Sequence, residues 1–106
     1  MNMPSQIRIG PFEFRILSDP DTDRELLEDG DAGASDTLRL TIKVRSDLPE
    51  QVRHETLVHE VLHCILSVTH LSNQMSDGEE EALVRSVAPH LAELRFLLDR
   101  LEDFDD

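Results

Sequence analysis

Apolar and polar residues alternate in two runs of this chain before about position 45, whereas from Pro49 onward the apolar residues recur every three or four positions. A period of two belongs to half-buried strands and a period near 3.6 to amphipathic helices, so a strand region must precede a helical one. The run TLRLTIKVRS places Leu38, Leu40, Ile42 and Val44 on one face, with Arg39, Thr41, Lys43 and Arg45 on the other. It predicts a strand over 37–45. The segment QIRIGPFEFRIL puts Ile7, Ile9, then Phe12, Phe14 and Ile16 on one side and predicts a strand over 6–17. Its Gly10-Pro11 pair shifts the phase by one residue, as a bulge or a tight turn does. Between the two, SDPDTDRELLEDGDAGASD is acidic and rich in turn formers, and reads as a loop with a short helical turn at Arg24 to Glu28.

The helical part divides in two. Pro49 suits a first helical turn, Glu50 suits the positive end of the dipole, and Ser46 or Asp47 is near enough to cap. Val58, Val61, Leu62, Ile65 and Leu66 supply a buried face, giving a helix over about 49–69, with HLSNQMSDG as its exit. A second helix over about 79–101 follows Ser76 or Asp77 as cap. Its apolar stripe is Leu83, Val84, Val87, Leu91, Leu94, Leu98 and Leu101, and Pro89 should kink it or disturb its hydrogen bonding. Residues 102–106 read as an acidic tail. The expected fold class is α+β: one domain over 1–101, with a small sheet of two or more strands packed on the first of these helices and on a second, C-terminal helix.

Charge narrows the partners. With 23 acidic against 10 basic residues the formal net charge is −13, so a nucleic-acid backbone or an anionic membrane surface is repelled. Cys64 is the single cysteine and can form no intramolecular disulfide, which fits a reducing compartment. The first residues lack the pattern of a secretory signal, and no apolar run approaches the roughly 20 residues of a membrane span. The expectation is a soluble, cytoplasmic protein.

The chemistry concentrates in ETLVHEVLHCI, residues 55–65. His59 and His63 are four apart in a predicted helix, so one turn brings both imidazoles to the same face, close enough to share a metal ion. Glu60 is rotated about 100° from His59. It can therefore lie beside a metal rather than on it and take a proton from water there. This is the H-E-x-x-H arrangement of zinc sites. A catalytic zinc has three protein ligands and an open position. The third is sought in EEEALVRSV, where Glu80 extends the apolar stripe of Leu83, Val84 and Val87 and Glu81 is the alternative; Glu79 reads as a helix start favoured by the dipole. His54, about 140° around the helix from His59, reads as a surface residue. Cys64 reads as a small buried residue. Asp19, Asp21 and Asp23 have the spacing that opens a calcium loop, but Arg24 stands where that loop needs Gly and Gly30 where it needs a bidentate Glu.

ETLVHEVLHCI followed by EEEALVRSVAPHL resembles the small HExxH proteins of phages and prophages, related in outline to ImmA/IrrE-type and gluzincin metallopeptidases, over roughly residues 38 to 98. The resemblance implies a minimal zincin fold with zinc on His59, His63 and Glu80, and Glu60 as general base. It implies a peptide or protein substrate that can pair with an edge strand beside the cleft, and a bacterial or phage-infected host cytosol. The chain departs from the pattern in having no Tyr and no Trp. The tyrosine that steadies an oxyanion in some zincins is thus absent, with His90, His70 or Arg85 as stand-ins. The expected function is zinc-dependent peptide hydrolysis; the alternative is a structural or catalytically degenerate zinc module that binds a protein.

Overall fold

The computed structural model describes residues 3–102, and the side chains of residues 3–93. Strands β1 (Gln6–Ile9) and β2 (Phe12–Leu17) form an antiparallel hairpin, with Ile7 opposite Phe14 and Ile9 opposite Phe12. The single strand expected over 6–17 is therefore two. Gly10, at φ +59°, and Pro11 close a two-residue turn and so reverse the chain where a bulge would only bend it. Gly10 also lets the turn sit on the end of the long helix below, where an added Cβ would meet Val68 at 3.1 Å.

The acidic connection is more ordered than its composition suggests. Helix α1 (Pro20–Asp29) starts with the Asp19 carboxylate accepting from the Thr22 N–H at 2.8 Å and stops at Gly30. It is held by one fully buried apolar side chain, Leu26, and by Asp23, which accepts from the Ser46 N–H and hydroxyl at 2.7 and 2.6 Å. The chain then forms β3 (Gly33–Asp36), which was expected to be loop, and β4 (Thr41–Val44). The strand expected over 37–45 is shorter because Thr37–Leu40 is a turn. Asp36 accepts from the Leu38 and Arg39 N–H groups, Leu40 has φ +53°, and Leu38 is 93% exposed.

The sheet order is β1-β2-β4-β3, with β2 and β4 parallel (Ile16 opposite Ile42) and β3 antiparallel to β4 (Ser35 opposite Ile42). α1 lies in the connection between the parallel strands, which a parallel pair requires. One face of the sheet contributes Ile9, Phe14, Ile16, Ile42 and Val44 to a core completed by Leu57 and Cys64 of α2 (Glu50–Val68). The buried line of α2 includes Leu57, Glu60 and Cys64, whereas Ile65 is 38% exposed and Val58 and Leu62 are half-buried. Leu66 is buried and Val61 packs against the core as the apolar pattern predicts, so the face toward the sheet is displaced from the predicted one only in part. Neither Ser46 nor Asp47 caps α2: Ser46 is engaged by Asp23, and Asp47 pairs with Arg45.

A short 3₁₀ turn (Leu71–Gln74) leads to α3 (Asp77–Glu102). The start of α3 is a reciprocal cap, with the Glu79 N–H donating to Ser76 Oγ at 3.1 Å and the Ser76 N–H donating to Glu79 Oε1 at 3.0 Å. Helical geometry continues through Pro89. α3 packs on α2, and its buried side chains are Val84, Ala88 and Ala92, with Leu83 and Leu91 partly exposed. The expected stripe members Leu94, Leu98 and Leu101 lie outside the described side chains, and positions 103–106 of the expected tail lie outside the described residues. Among the described residues no helix is long and apolar enough to cross a membrane. The result is a four-stranded mixed sheet with three α-helices, an α+β fold.

Candidate metal centre

The helical spacing of His59 and His63 on α2 brings their rings to 5.0 Å between centroids, tilted by 59°. Across from them α3 presents two adjacent carboxylates. Glu81 faces both imidazoles, with Oε1 3.2 Å from His59 Nε2 and Oε2 3.0 Å from His63 Nε2. Glu80 meets the other nitrogen of His63, with Oε2 2.6 Å from Nδ1. Among the described residues, the group able to hold a metal ion is His59, His63 and Glu81, whose ligand atoms all lie within 4.8 Å of one another.

Glu81, the alternative reading from sequence, belongs to this group, while Glu80, the expected third ligand, meets His63 at its other nitrogen. The physical reason is the phase of α3. Its buried line is Val84, Ala88 and Ala92, with Leu83 and Leu91 partly exposed, and one turn before Val84 that line falls on the side of Glu81. A reading that weights large apolar residues passes over those alanines and turns the helix toward Glu80.

The donor set fits zinc. Two imidazole nitrogens and one carboxylate oxygen are the ligand types of a catalytic site with an open fourth position. A tetrahedron with ligands at about 2.1 Å has edges of about 3.4 Å. With one ligand atom from each residue, the three atoms lie within 4.8 Å of one another, near enough to close on a single ion.

The electrostatics separate the three glutamates. Arg85 Nε donates to Glu81 Oε1 at 2.8 Å, and this contact is the largest influence holding the Glu81 carboxyl below its ordinary range. Glu80 is likewise lowered, chiefly by a hydrogen bond from Ser72 in the 3₁₀ turn and then by His63. Glu60 moves the other way. It is 9% exposed, and burial raises its proton affinity against the pull of His59, His63 and a hydrogen bond from Ser35.

Ser35 belongs to β3, which can approach α2 closely because residue 33 is glycine. A Cβ there would meet Thr56 Cγ2 at 2.6 Å, the Lys43 carbonyl at 3.0 Å and Glu60 Cγ at 3.3 Å. Cys64, one turn below Glu60, is fully buried, and desolvation pushes its thiol up to about 11. It is a packing residue, as its sequence context suggests.

His59, Glu60, His63, Glu80 and Glu81 line an open cleft of about 800 Å³ between β3 with the chain before it and the α2–α3 pair. Of the stand-ins for an oxyanion donor, Arg85 lines the cleft. His70, exposed just past α2, and His90, exposed and 3.8 Å from Glu93, do not. His54 lies against Met3, Glu50 and Arg53, away from the cleft. The three aspartates with calcium-like spacing are used otherwise: Asp19 caps α1, Asp21 pairs with Arg24 and Asp23 binds Ser46.

Ser35, Ser72 and Gly33 escape the sequence reading. Ser35 and Gly33 sit in Gly-Ala-Ser-Asp, which carries no strand signal, and Ser72 gains its role only through the turn that swings it toward α3. Comparison with protein-family models, with curated proteins and with solved structures finds no match.

Proposed function

We propose that this protein is a zinc-dependent peptidase whose metal ligands are His59, His63 and Glu81 and whose general base is Glu60. One observation carries the reading: two imidazoles from one helix converge with a carboxylate from another, and a buried carboxylate follows the first histidine directly. A structural site needs no such fourth group. The resemblance of HEVLH and the glutamate helix to minimal zincins supports the same reading.

A zinc ion held there supplies a Lewis acid that polarises a peptide carbonyl and makes water more acidic. Glu60 takes the proton of the attacking water and returns it to the leaving amine. Its burial strengthens it as a base, and it lines the cleft together with Ser35 of β3. β3 is an edge strand whose residues line the cleft, so an extended substrate peptide has a backbone edge to pair with beside the site.

The test is metal content and peptide hydrolysis on wild type and Glu60→Gln. Expected are one zinc per chain in both proteins and a loss of about 10²–10⁴-fold in hydrolysis for the variant. Absence of zinc from reconstituted wild type would sink the proposal. A second reading, a zinc-dependent protein-binding module without hydrolysis, is favoured by the oxyanion side of the site. His70 and His90 lie outside the cleft, and Arg85 is engaged by Glu81. Zinc bound stoichiometrically with no turnover of any peptide in a library would decide for it.

A further inference from the structure

We infer that Glu80 is a positioning residue for the metal centre, holding His63 by Nδ1. The inference rests on the zinc reading of His59, His63 and Glu81, and concerns a contact that reading leaves without a role.

The two nitrogens of His63 are addressed by neighbouring residues of one helix. Glu81 stands at Nε2, on the side of His59, and Glu80 stands at Nδ1 with the shorter contact, 2.6 Å. An imidazole that binds a metal through Nε2 must keep its N–H on Nδ1, and a carboxylate there fixes both the tautomer and the ring plane. Exposure divides the two glutamates in the same way. The Glu80 side chain is 19% exposed, like His63 at 18%, whereas Glu81 at 38% is more open.

Ser72, in the 3₁₀ turn that joins the two helices, lines the cleft together with Glu80 and helps to hold the Glu80 carboxyl below its ordinary range. For Oε2 of Glu80 to serve as a metal ligand it would have to leave His63 Nδ1.

The experiment uses the full chain. Zinc affinity is measured by competition with a chromophoric chelator for wild type, Glu80→Ala, Glu80→Gln, Ser72→Ala and Glu81→Gln. In parallel, nitrogen-15 NMR of the imidazoles follows the proton on His63 Nδ1, with and without zinc. Glu80→Ala is expected to keep one zinc per chain at an affinity about 10–100-fold weaker, and to lose the solvent-protected Nδ1 proton. Glu80→Gln, whose carbonyl still accepts from Nδ1–H, is expected to recover most of the affinity and the proton signal. Ser72→Ala is expected to weaken affinity by less than Glu80→Ala, and Glu81→Gln to lose stoichiometric binding.

Loss of stoichiometric zinc in Glu80→Ala with retention in Glu81→Gln would make Glu80 the ligand and overturn the inference. So would unchanged affinity and an unchanged Nδ1 proton in Glu80→Ala. Wild type that binds no zinc would overturn the metal reading itself. The Nδ1 proton of the metal-free chain would then report separately whether Glu80 holds the ring.

Discussion

Glu60 has a burden that its neighbours do not share: a carboxylate with 9% exposure, its proton affinity raised mainly by desolvation. In the metal-free protein the folded state binds that proton more tightly than the unfolded chain. Its contribution to stability therefore falls as pH rises from the ordinary carboxylate value through the raised one. Metal-free Glu60→Gln should accordingly melt higher than wild type at neutral pH, with the difference shrinking as pH falls and Glu60 takes up its proton. Thermal melts of the two proteins at a series of pH values check this; a constant difference would assign the effect to packing. His70 carries a different cost, since it occupies the left-handed region at φ +64° immediately beyond α2. His70→Gly should stabilise the protein by about 1 kcal/mol, read as a higher midpoint in urea. The histidine pair and its glutamate were legible in the sequence because spacing on one helix needs no tertiary information. The choice between Glu80 and Glu81 was not, because it depends on which side of α3 lies against α2, and Ala88 and Ala92 decide that without standing out in any hydrophobic pattern.

Among the elements, β3 is the least legible and the most consequential for the site. Nothing in Gly-Ala-Ser-Asp favours a strand; it is one because β4 offers an antiparallel partner and α2 leaves room for a residue without a side chain. Gly33→Ala should force β3 away from Thr56 and the Lys43 carbonyl, at a cost of about 1–3 kcal/mol typical of overpacking, and move Ser35 off Glu60. Circular-dichroism melts and the rate of peptide hydrolysis check the two parts of that expectation; an unchanged melt would show that the close approach carries no constraint. Helix α1 was misread for another reason. Its start signal, Asp19 before Pro20, and its stop, Gly30, are both present, but Leu26 is its one buried apolar residue, too little for an apolar period to emerge. α2 and α3, long and periodic, were legible nearly to their ends.

At the scale of the molecule, a small core and a net charge of −13 act against each other. Clustered acidic charge repels itself, so the melting temperature of the metal-free protein should rise between low salt and about 0.15 M salt, where the Debye length is about 8 Å. A fall with salt would mean that surface ion pairs outweigh the repulsion. Zinc should add more. A ligand that binds only the folded state at 100 times its Kd contributes about 2.7 kcal/mol. For a chain of this size that corresponds to a rise of roughly 10–20 °C in Tm. Differential scanning fluorimetry with zinc and with chelator measures it, and identical curves would exclude a metal bound preferentially by the fold.

The two halves of the site differ in how far the chain must travel to build them. His59, His63, Glu80 and Glu81 lie on two successive helices joined by a short connector, whereas Glu60 meets β3 only after the edge of the sheet has packed against α2. Short-range closure is fast and long-range strand pairing slow. The helical hairpin should therefore gain its affinity for metal before the base is seated, and a metal present during refolding should act as a nucleus that hastens the joining of α2 and α3. Changes in β3, made after that step, would then show themselves in how quickly the protein comes apart and leave the speed of its assembly almost untouched.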